Sequence, residues 1–208
     1  VVDRRRLELT LALLTLTFVV ASAVGERLGL PPRFHLALDL AAYVAGGRTT
    51  AIAISPVCKP GNCRMWIGAA GGGVWRTKNA LDGQQGWDYV SGSFAINSIG
   101  SITVDPNDPT GNTVWVGTGE ANACGSGCIA GVGIYKSTDG GDTWSGPIGQ
   151  AEFGSRGVGS IAVKPGDPNT IYAATTRAGR SASSVVSGGV TTLIPGAAMW
   201  GLYKSTDG

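Results

Sequence analysis

Charged residues are scarce in this chain, and neither sign dominates. They make up 14% of the 208 residues, with 16 basic and 14 acidic side chains and a net charge of +2. Nucleic-acid binding relies on clustered lysine and arginine that neutralise phosphates, so this composition predicts no nucleic-acid partner. The single histidine, His35, belongs to the apolar N-terminal part of the chain.

Several motifs of catalysis and nucleotide binding are also missing. The chain has no Walker loop, no serine-nucleophile elbow and no dinucleotide fingerprint. Its glycine runs at 71–73 and 117–119 are not followed by predicted helices, so a phosphate cradle is not expected. We therefore predict no cofactor.

Cysteine is limited to two local pairs, each bracketed by glycine or proline: Cys58 with Cys63, and Cys124 with Cys128. Zinc-binding pairs are usually separated by about two to four residues and lack the proline found within the first pair, so no metal site is predicted. Local disulfides that clip surface loops are expected instead. Such disulfides indicate an oxidising compartment.

Glycine and proline are abundant, and they indicate short strands joined by tight turns. The chain has 34 glycines and 10 prolines, and 43% of its residues are hydrophobic, which favours an all-β fold over a disordered chain. The composition also changes along the chain. Residues 1–46 are rich in leucine and alanine, whereas residues 47–208 are rich in Gly, Ser, Thr, Trp and Val. We therefore predict two segments.

The first segment is predicted to be a signal peptide or a membrane anchor that begins with an apolar helix. Basic residues at 4–6 precede an apolar run at 9–24, and the small residues at 21–23 fit an A-x-A cleavage site. As a spanning helix, the run is slightly short of the roughly 20 residues that a bilayer requires. A second apolar stretch at 34–44 is shorter still. A signal peptide or a single anchor would place the rest of the chain outside the cytoplasm.

An alternative interpretation of this segment is a helical hairpin. The stretch from LEL (7–9) through ERLGLPP (26–32) to LAAYVAGG (40–47) resembles the first membrane hairpin of heavy-metal-translocating P-type ATPases. The Cys-Pro-Cys and Asp-Lys-Thr-Gly motifs that carry transport in that family are not found in the chain, so no pump activity is implied. A hairpin would return the chain to the cytoplasm. This alternative stays open at the level of sequence.

The second segment contains a repeat of strand-like sequences. Alternating segments end at prolines 56, 106 and 165, which are 50 and 59 residues apart. A second strand recurs as RMWIG (64–68), TVWVG (113–117) and TIYAA (170–174), and a third as GVWRT (73–77), GIYKS (133–137) and GLYKS (201–205). Units of this length with four short strands are typical of propeller blades.

The fold class predicted from this repeat is all-β, a partial β-propeller of about two and a half four-stranded blades. The blades are placed near 47–99, 100–157 and 158–208, with the last one incomplete. Closed propellers typically have about four to eight blades, so we expect the chain to be a fragment of a longer protein.

The most informative motif is the Asp box, S-x-D-x-G-x-T-W, which residues 137–144 match completely. Its defining residues are Ser137, Asp139, Gly141 and Trp144, and a second copy begins with Ser205 and Asp207. The serine and aspartate are expected to bond the backbone amides of a hairpin turn, the glycine to take a positive φ, and the tryptophan to fill the space below the turn. A degenerate copy has Thr77 at the serine position and Trp87 at the tryptophan position.

Residues 47–208 thus resemble the bacterial Asp-box (BNR) repeat proteins, which include sialidases, xyloglucan-active glycosidases, sortilin-type receptors and photosystem-assembly factors. The phrases GAAGGGVWRT (68–77) and VGTGEAN (116–122) carry the resemblance further. The resemblance implies a propeller. It does not distinguish an enzyme from a binding protein, because the Asp box is a structural turn motif that is found in both.

Glu120 is the candidate ligand-binding residue, because it ends a predicted strand where a carboxylate can face the central channel. A glycosidase normally needs two carboxylates across the bond, and the chain offers few candidates, so no catalytic residue is assigned. We expect a non-catalytic module that binds carbohydrate or protein. The alternative is the N-terminal part of an exported sialidase-like or xyloglucanase-like glycoside hydrolase whose catalytic residues lie in further blades.

The export interpretation predicts where the repeat region is located. A reporter that is active only outside the cytoplasm, fused after residue 150, should give signal, because the basic residues precede the apolar run. A fusion before residue 9 should be silent. Signal only from a cytoplasmic reporter at position 150 would contradict this prediction and favour the hairpin.

Overall fold

The structure is a computed structural model that describes residues 48–82, 86–121, 129–178, 184–187, 190–193 and 198–208. The apolar N-terminal segment, with the interpretations placed on it, lies outside the described residues. Within the described ranges, no helix has the length and hydrophobicity to cross a membrane.

Two four-stranded antiparallel sheets come first in the chain. Sheet 1 consists of β1 (Thr49–Ile54), β2 (Met65–Ala69), β3 (Gly73–Thr77) and β4 (Asp88–Tyr89). Sheet 2 consists of β5 (Ile99–Val104), β6 (Val114–Thr118), β7 (Ile134–Ser137) and β8 (Ser145–Ile148). In both sheets each strand pairs with the next one along the chain. The two sheets therefore share one topology.

A short helix, a third sheet and a separate pair of strands follow. In chain order they are α1 (Gln150–Phe153), β9 (Gly157–Lys164), β10 (Asp167–Thr176), β11 (Ser184–Ser187), β12 (Val190–Leu193) and β13 (Leu202–Ser205). Sheet 3 has the order β13-β10-β9, and β11 and β12 form a separate two-stranded hairpin between β10 and β13.

The prediction of a mostly β protein is confirmed for the described residues. The recurring sequences of the repeat fall on β1, β5 and β9, on β2, β6 and β10, and on β3, β7 and β13. Alternating apolar residues bounded by proline and glycine turns were sufficient to locate these strands.

The hydrophobic core lies between the sheets. A cluster that includes Trp66, Ile99 and Tyr135 fills the space between sheets 1 and 2, and a cluster that includes Trp115 and Val158 fills the space between sheets 2 and 3. Burial of this apolar surface is the main force that holds the sheets together.

Glycine in the second strand of each of the first two sheets allows close approach of the next sheet. A Cβ on Gly68 of β2 would lie 2.5 Å from Cγ2 of Ile99, and a Cβ on Gly117 of β6 would lie 2.6 Å from Cγ1 of Val158. Since real Cβ atoms do not approach other atoms so closely, a larger residue here would push the sheets apart.

The ends of the strands form two faces. The turn face holds the C-terminal ends of β1, β3, β5, β7 and β9. The opposite face, called here the Glu120 face, holds the C-terminal ends of β2, β4, β6, β8 and β10. The first strands of successive sheets lie side by side, as shown by the bonds from Thr50 Oγ1 to the Ile99 carbonyl (2.5 Å) and from Thr103 Oγ1 to the Ile161 carbonyl (2.7 Å). β5 and β9 run in the same direction, because Ser101 Oγ also donates to the Val158 carbonyl (2.9 Å).

Trp66 should be among the most costly core residues to truncate. Its side chain is fully buried, and its indole N–H donates to the Gly140 carbonyl across the sheet interface (3.1 Å). Trp66→Ala should lower the free energy of unfolding by about 3 to 5 kcal/mol in urea titrations of the full chain. Trp200→Ala is the control, because that side chain is 43% exposed. A loss for Trp66→Ala no larger than that of the control would contradict the packing described here.

Candidate functional site

The turn at residues 137–144, called here the Asp-box turn, is held by hydrogen bonds between its own residues. Ser137 Oγ donates to Asp139 Oδ1 (2.7 Å) and accepts from the Gly141 amide (2.8 Å). Asp139 Oδ1 also accepts from the amides of Asp142 (3.0 Å) and Thr143 (2.9 Å). These bonds satisfy turn amides that would otherwise lack partners, as the motif predicts.

The same hydrogen bonds change the acidity of Asp139. Partial burial raises the pKa of Asp139, but the bonds from Thr143, Ser137 and the Asp142 amide together outweigh burial and hold that pKa well below its ordinary value. The carboxylate is thus stabilised in its ionised form by the turn that it organises.

The second copy of the motif forms the same first bonds. Ser205 Oγ donates to Asp207 Oδ1 at 2.8 Å and accepts from the Asp207 amide at 3.4 Å. The matching distances for Ser137 and Asp139 are 2.7 and 3.3 Å. The local sequence therefore produces the same geometry in sheets 2 and 3.

The degenerate copy in sheet 1 keeps part of this arrangement. Thr77 Oγ1 accepts from the Asn79 amide at 3.3 Å, in the place of the serine. Trp87 packs against the buried clusters that contain Met65 and Ile67, so it serves as a core aromatic.

Trp144 links the Asp-box turn to sheet 1. Its ring packs edge-on against Phe94 with centroids 5.2 Å apart, and its indole N–H donates to the Val90 carbonyl (2.8 Å). Gly141, which has a φ of 96°, lies directly over this ring. A Cβ on Gly141 would lie 3.2 Å from Cζ2 of Trp144, so a larger residue would crowd the ring. The tryptophan therefore fills the space below the turn, as the sequence predicts, and also reaches the neighbouring sheet.

Arg76 of β3 is held against the Asp-box turn. The residue is 4% exposed, and its Nη1 donates to the Gly140 carbonyl (2.9 Å) and to Asp142 Oδ1 (2.8 Å). Its Nη2 faces Asp88 Oδ2 at 3.4 Å. A buried guanidinium is thus neutralised by two acids from different sheets, as burial of a charge requires.

An open cleft of ≈ 400 Å³ lies between β4 with the residues that follow it and the Asp-box turn. The polar and aromatic side chains of its wall are those of Arg76, Asp88, Ser93, Asp142 and Trp144. Of these, only Trp144 had been assigned a role from the sequence, as a structural residue.

Glu120 lies on the opposite face, at the end of β6. The residue is 6% exposed, one carboxylate oxygen forms an ion pair with Arg48, and the other accepts from the Ile129 amide (3.4 Å). The Glu120 amide in turn donates to the Ile129 carbonyl (2.9 Å). The carboxylate is therefore fixed in place, and the open approach expected from the sequence is partly occupied by Arg48.

The second buried cation of the described residues, Arg156, lies on the Glu120 face. It is fully buried, and its guanidinium donates to the carbonyls of Ala198 and Arg177, the latter at 3.2 Å. Its Nη2 finds no hydrogen-bond partner among the described residues. The guanidinium lies 5.3 Å from the Trp200 ring centroid, which is a cation–π arrangement. Burial lowers the pKa of Arg156, whereas Tyr203 raises it.

Three exposed apolar side chains lie near Arg156 on the Glu120 face. Ile129 is 46% exposed, and Met199 and Trp200 are 69% and 43% exposed. Arg156 links the two segments that carry them, because its carbonyl accepts from the Gly131 amide (2.7 Å) and its guanidinium contacts the Ala198 carbonyl and the Trp200 ring. We call Ile129, Met199 and Trp200 the apolar patch.

The first of the two predicted disulfides is present. Cys58 and Cys63 are bonded to each other and clip the β1–β2 turn, which confirms that pair. The bond indicates folding in an oxidising environment, which agrees with an extracytoplasmic location.

The second predicted disulfide is not among the bonds of the described residues. Its two members, Cys124 and Cys128, belong to the β6–β7 loop at 122–128, which lies outside the described ranges. The pairing of Cys124 with Cys128 is therefore not confirmed and stays a prediction.

No known protein-family model matches the chain. A search of curated proteins finds no significant match either. From the sequence, Arg76 and Arg156 were assigned no role, and the apolar patch was not predicted. The signal available was weak, because an arginine in a strand gives no indication of its burial until its neighbours are known.

The Asp-box turn should make stability depend on pH. A carboxyl group whose pKa is lower in the folded state stabilises the fold above its ordinary pKa of about 4, and that contribution is lost as the pH falls towards the folded-state pKa. Asp139→Asn should therefore lower the urea midpoint at pH 7 and flatten its decline between about pH 5 and 2.

The matched control for this prediction is Asp207→Asn in the partial second copy, where the one bond given to the carboxylate among the described residues comes from Ser205 Oγ. It should keep the parental pH profile. An unchanged profile for Asp139→Asn would show that the turn bonds do not stabilise the ionised carboxylate.

Proposed function

We propose that residues 47–208 form part of an Asp-box β-propeller that acts as a non-catalytic, protein-binding module outside the cytoplasm. The propeller assignment is supported by the recurrence of one antiparallel topology in successive sheets, whose first strands lie side by side. The recurrence of the Ser–Asp hydrogen bond in sheets 2 and 3 supports it further.

The observation that carries the binding proposal is the apolar patch with Arg156 beneath it. Exposed tryptophan and methionine beside a buried arginine are the residue types enriched at the centres of protein interfaces. The ring of Trp200 already packs over Arg156, so a partner would meet a preorganised anchor and not a free side chain.

The surroundings of Glu120 support binding over glycoside hydrolysis. Hydrolysis normally needs two carboxylates across the bond, one of which gives and takes a proton. Both Glu120 oxygens are engaged, by Arg48 and by the Ile129 amide. Glu120 therefore suits a role in fixing the chain at Ile129 beside the apolar patch.

The location outside the cytoplasm rests on the Cys58–Cys63 disulfide and on the basic-then-apolar N-terminal sequence. In this proposal the N-terminal segment exports the chain or anchors it to the membrane. The partner would then be another exported or surface protein.

Loss of the Trp200 side chain should weaken partner binding far more than it affects folding. Proteins retained from the source organism's exported fraction would be identified with the parental chain, and their affinities measured by calorimetry. Trp200→Ala should lower the affinity of a true partner by about thirtyfold, which is the loss expected when an interface anchor is removed. Its melting temperature should stay near the parental value, because the ring is partly exposed.

Tyr172→Ala is the matched control, since Tyr172 is an exposed aromatic on the outer surface of sheet 3 and does not belong to the patch. It should leave binding unchanged. Equal retention by the parent and Trp200→Ala would refute the patch as the interface. Retention of glycans and no protein at this face would replace the protein partner with a carbohydrate.

A further inference from the structure

The cleft between sheets 1 and 2 combines hydrogen-bonding groups that are rigidly held. Arg76 is nearly fully buried and bonds one oxygen each of Asp88 and Asp142. The two acids come from different sheets, yet their side chains remain 58% and 61% exposed. The carboxylate oxygens that Arg76 does not use can therefore accept hydrogen bonds from a molecule in the cleft.

The wall of the cleft also offers aromatic surface. Trp144 is half-buried and fixed by its bond to the Val90 carbonyl, so its orientation is set before any ligand arrives. The ring of Tyr89 points to the other face of sheet 1, where it packs on Trp75 with centroids 5.3 Å apart. A fixed ring beside fixed acceptors reduces the entropy lost on binding.

The charges select the class of ligand. An anion would be repelled by the exposed carboxylates of Asp88 and Asp142, and the attraction of these carboxylates for a cation is reduced because both are paired with Arg76. A neutral molecule with adjacent hydroxyls can bind to the free carboxylate oxygens without either charge effect, because each hydroxyl both donates and accepts. Its C–H surface can pack on the ring of Trp144.

We propose that this cleft is a binding site for a neutral sugar, with the hydroxyls of one pyranose ring bound by Asp88 and Asp142 and the sugar ring packed against Trp144. The volume of ≈ 400 Å³ lies within the usual range of small-molecule clefts, about 300 to 1,000 Å³. The site is separate from the apolar patch and does not depend on the protein-binding role of that patch.

Two tryptophans report on the two sites. Trp144 lines the cleft, whereas Trp200 belongs to the apolar patch on the Glu120 face. In ¹⁵N-labelled full chain, the indole N–H signal of each can be assigned by substitution with phenylalanine. Methyl pyranosides of glucose, galactose and mannose, together with their common disaccharides, are the probes. Cyclohexanol is the control probe, because it has a six-membered ring but no adjacent hydroxyls.

We expect at least one sugar to shift the Trp144 signal saturably at millimolar concentration, with no saturable shift of Trp200. Asp142→Asn and Asp88→Asn should each lower the affinity for this sugar by about tenfold, which is the loss expected for one hydrogen bond to a charged acceptor. Asp207→Asn, an acid outside the cleft, and Glu120→Gln, on the other face, should leave it unchanged. Using both cleft variants guards against instability in either one.

The proposal is overturned if no sugar in the panel gives a saturable Trp144 shift, if cyclohexanol gives an equal one, or if both cleft variants bind as the parent does. A saturable shift of Trp200 alone would also overturn it, and would assign carbohydrate binding to the Glu120 face. Failure of the Trp200→Ala binding experiment would not affect the result, because that variant leaves the cleft intact.

Discussion

The structure depends most on one backbone carbonyl, that of Gly140, which accepts hydrogen bonds from two side chains. Trp66 and Arg76 of sheet 1 both donate to it, and both are almost completely buried. A buried donor without a partner costs about 1 to 3 kcal/mol, so the position of this carbonyl determines how sheet 1 can pack on sheet 2. That position is set by Ser137 and Asp139, whose hydrogen bonds hold the turn.

The same turn gives a local motif a longer-range effect. Its hydrogen bonds join residues no more than four positions apart, yet they place Asp142 beside Arg76 and Trp144 beside Phe94 of the neighbouring segment. A structural element thus forms one wall of a cleft. This is why a motif that stabilises the fold can contribute to a binding surface without containing a residue dedicated to ligand binding.

The two faces differ in how buried arginines are compensated. Arg76 is compensated by two carboxylates and a carbonyl, whereas Arg156 is compensated by carbonyls and an aromatic ring, with no ion pair among the described residues. Each also keeps one buried nitrogen without a partner among those residues, Nε of Arg76 and Nη2 of Arg156. A buried charge without a counter-ion is costly, and such costs concentrate at functional positions, so Arg156 supports the choice of the Glu120 face for partner binding, while the ion-paired Arg76 suits a site for neutral ligands.

The sequence by itself determined the all-β class, the positions of the recurring strands, the Asp-box turn and the Cys58–Cys63 disulfide. These features depend on alternation, turn residues and bonds between near neighbours, which a linear pattern records. The closed or partial propeller, the export segment, the second disulfide and the ligand stay predictions. Only the tertiary structure decided the environments of Glu120, Arg76 and Arg156, because their partners lie far along the chain, such as Arg48 at 72 residues from Glu120 and Gly140 at 64 from Arg76. Burial and pairing across such separations are properties of the packed sheets, and no local pattern encodes them.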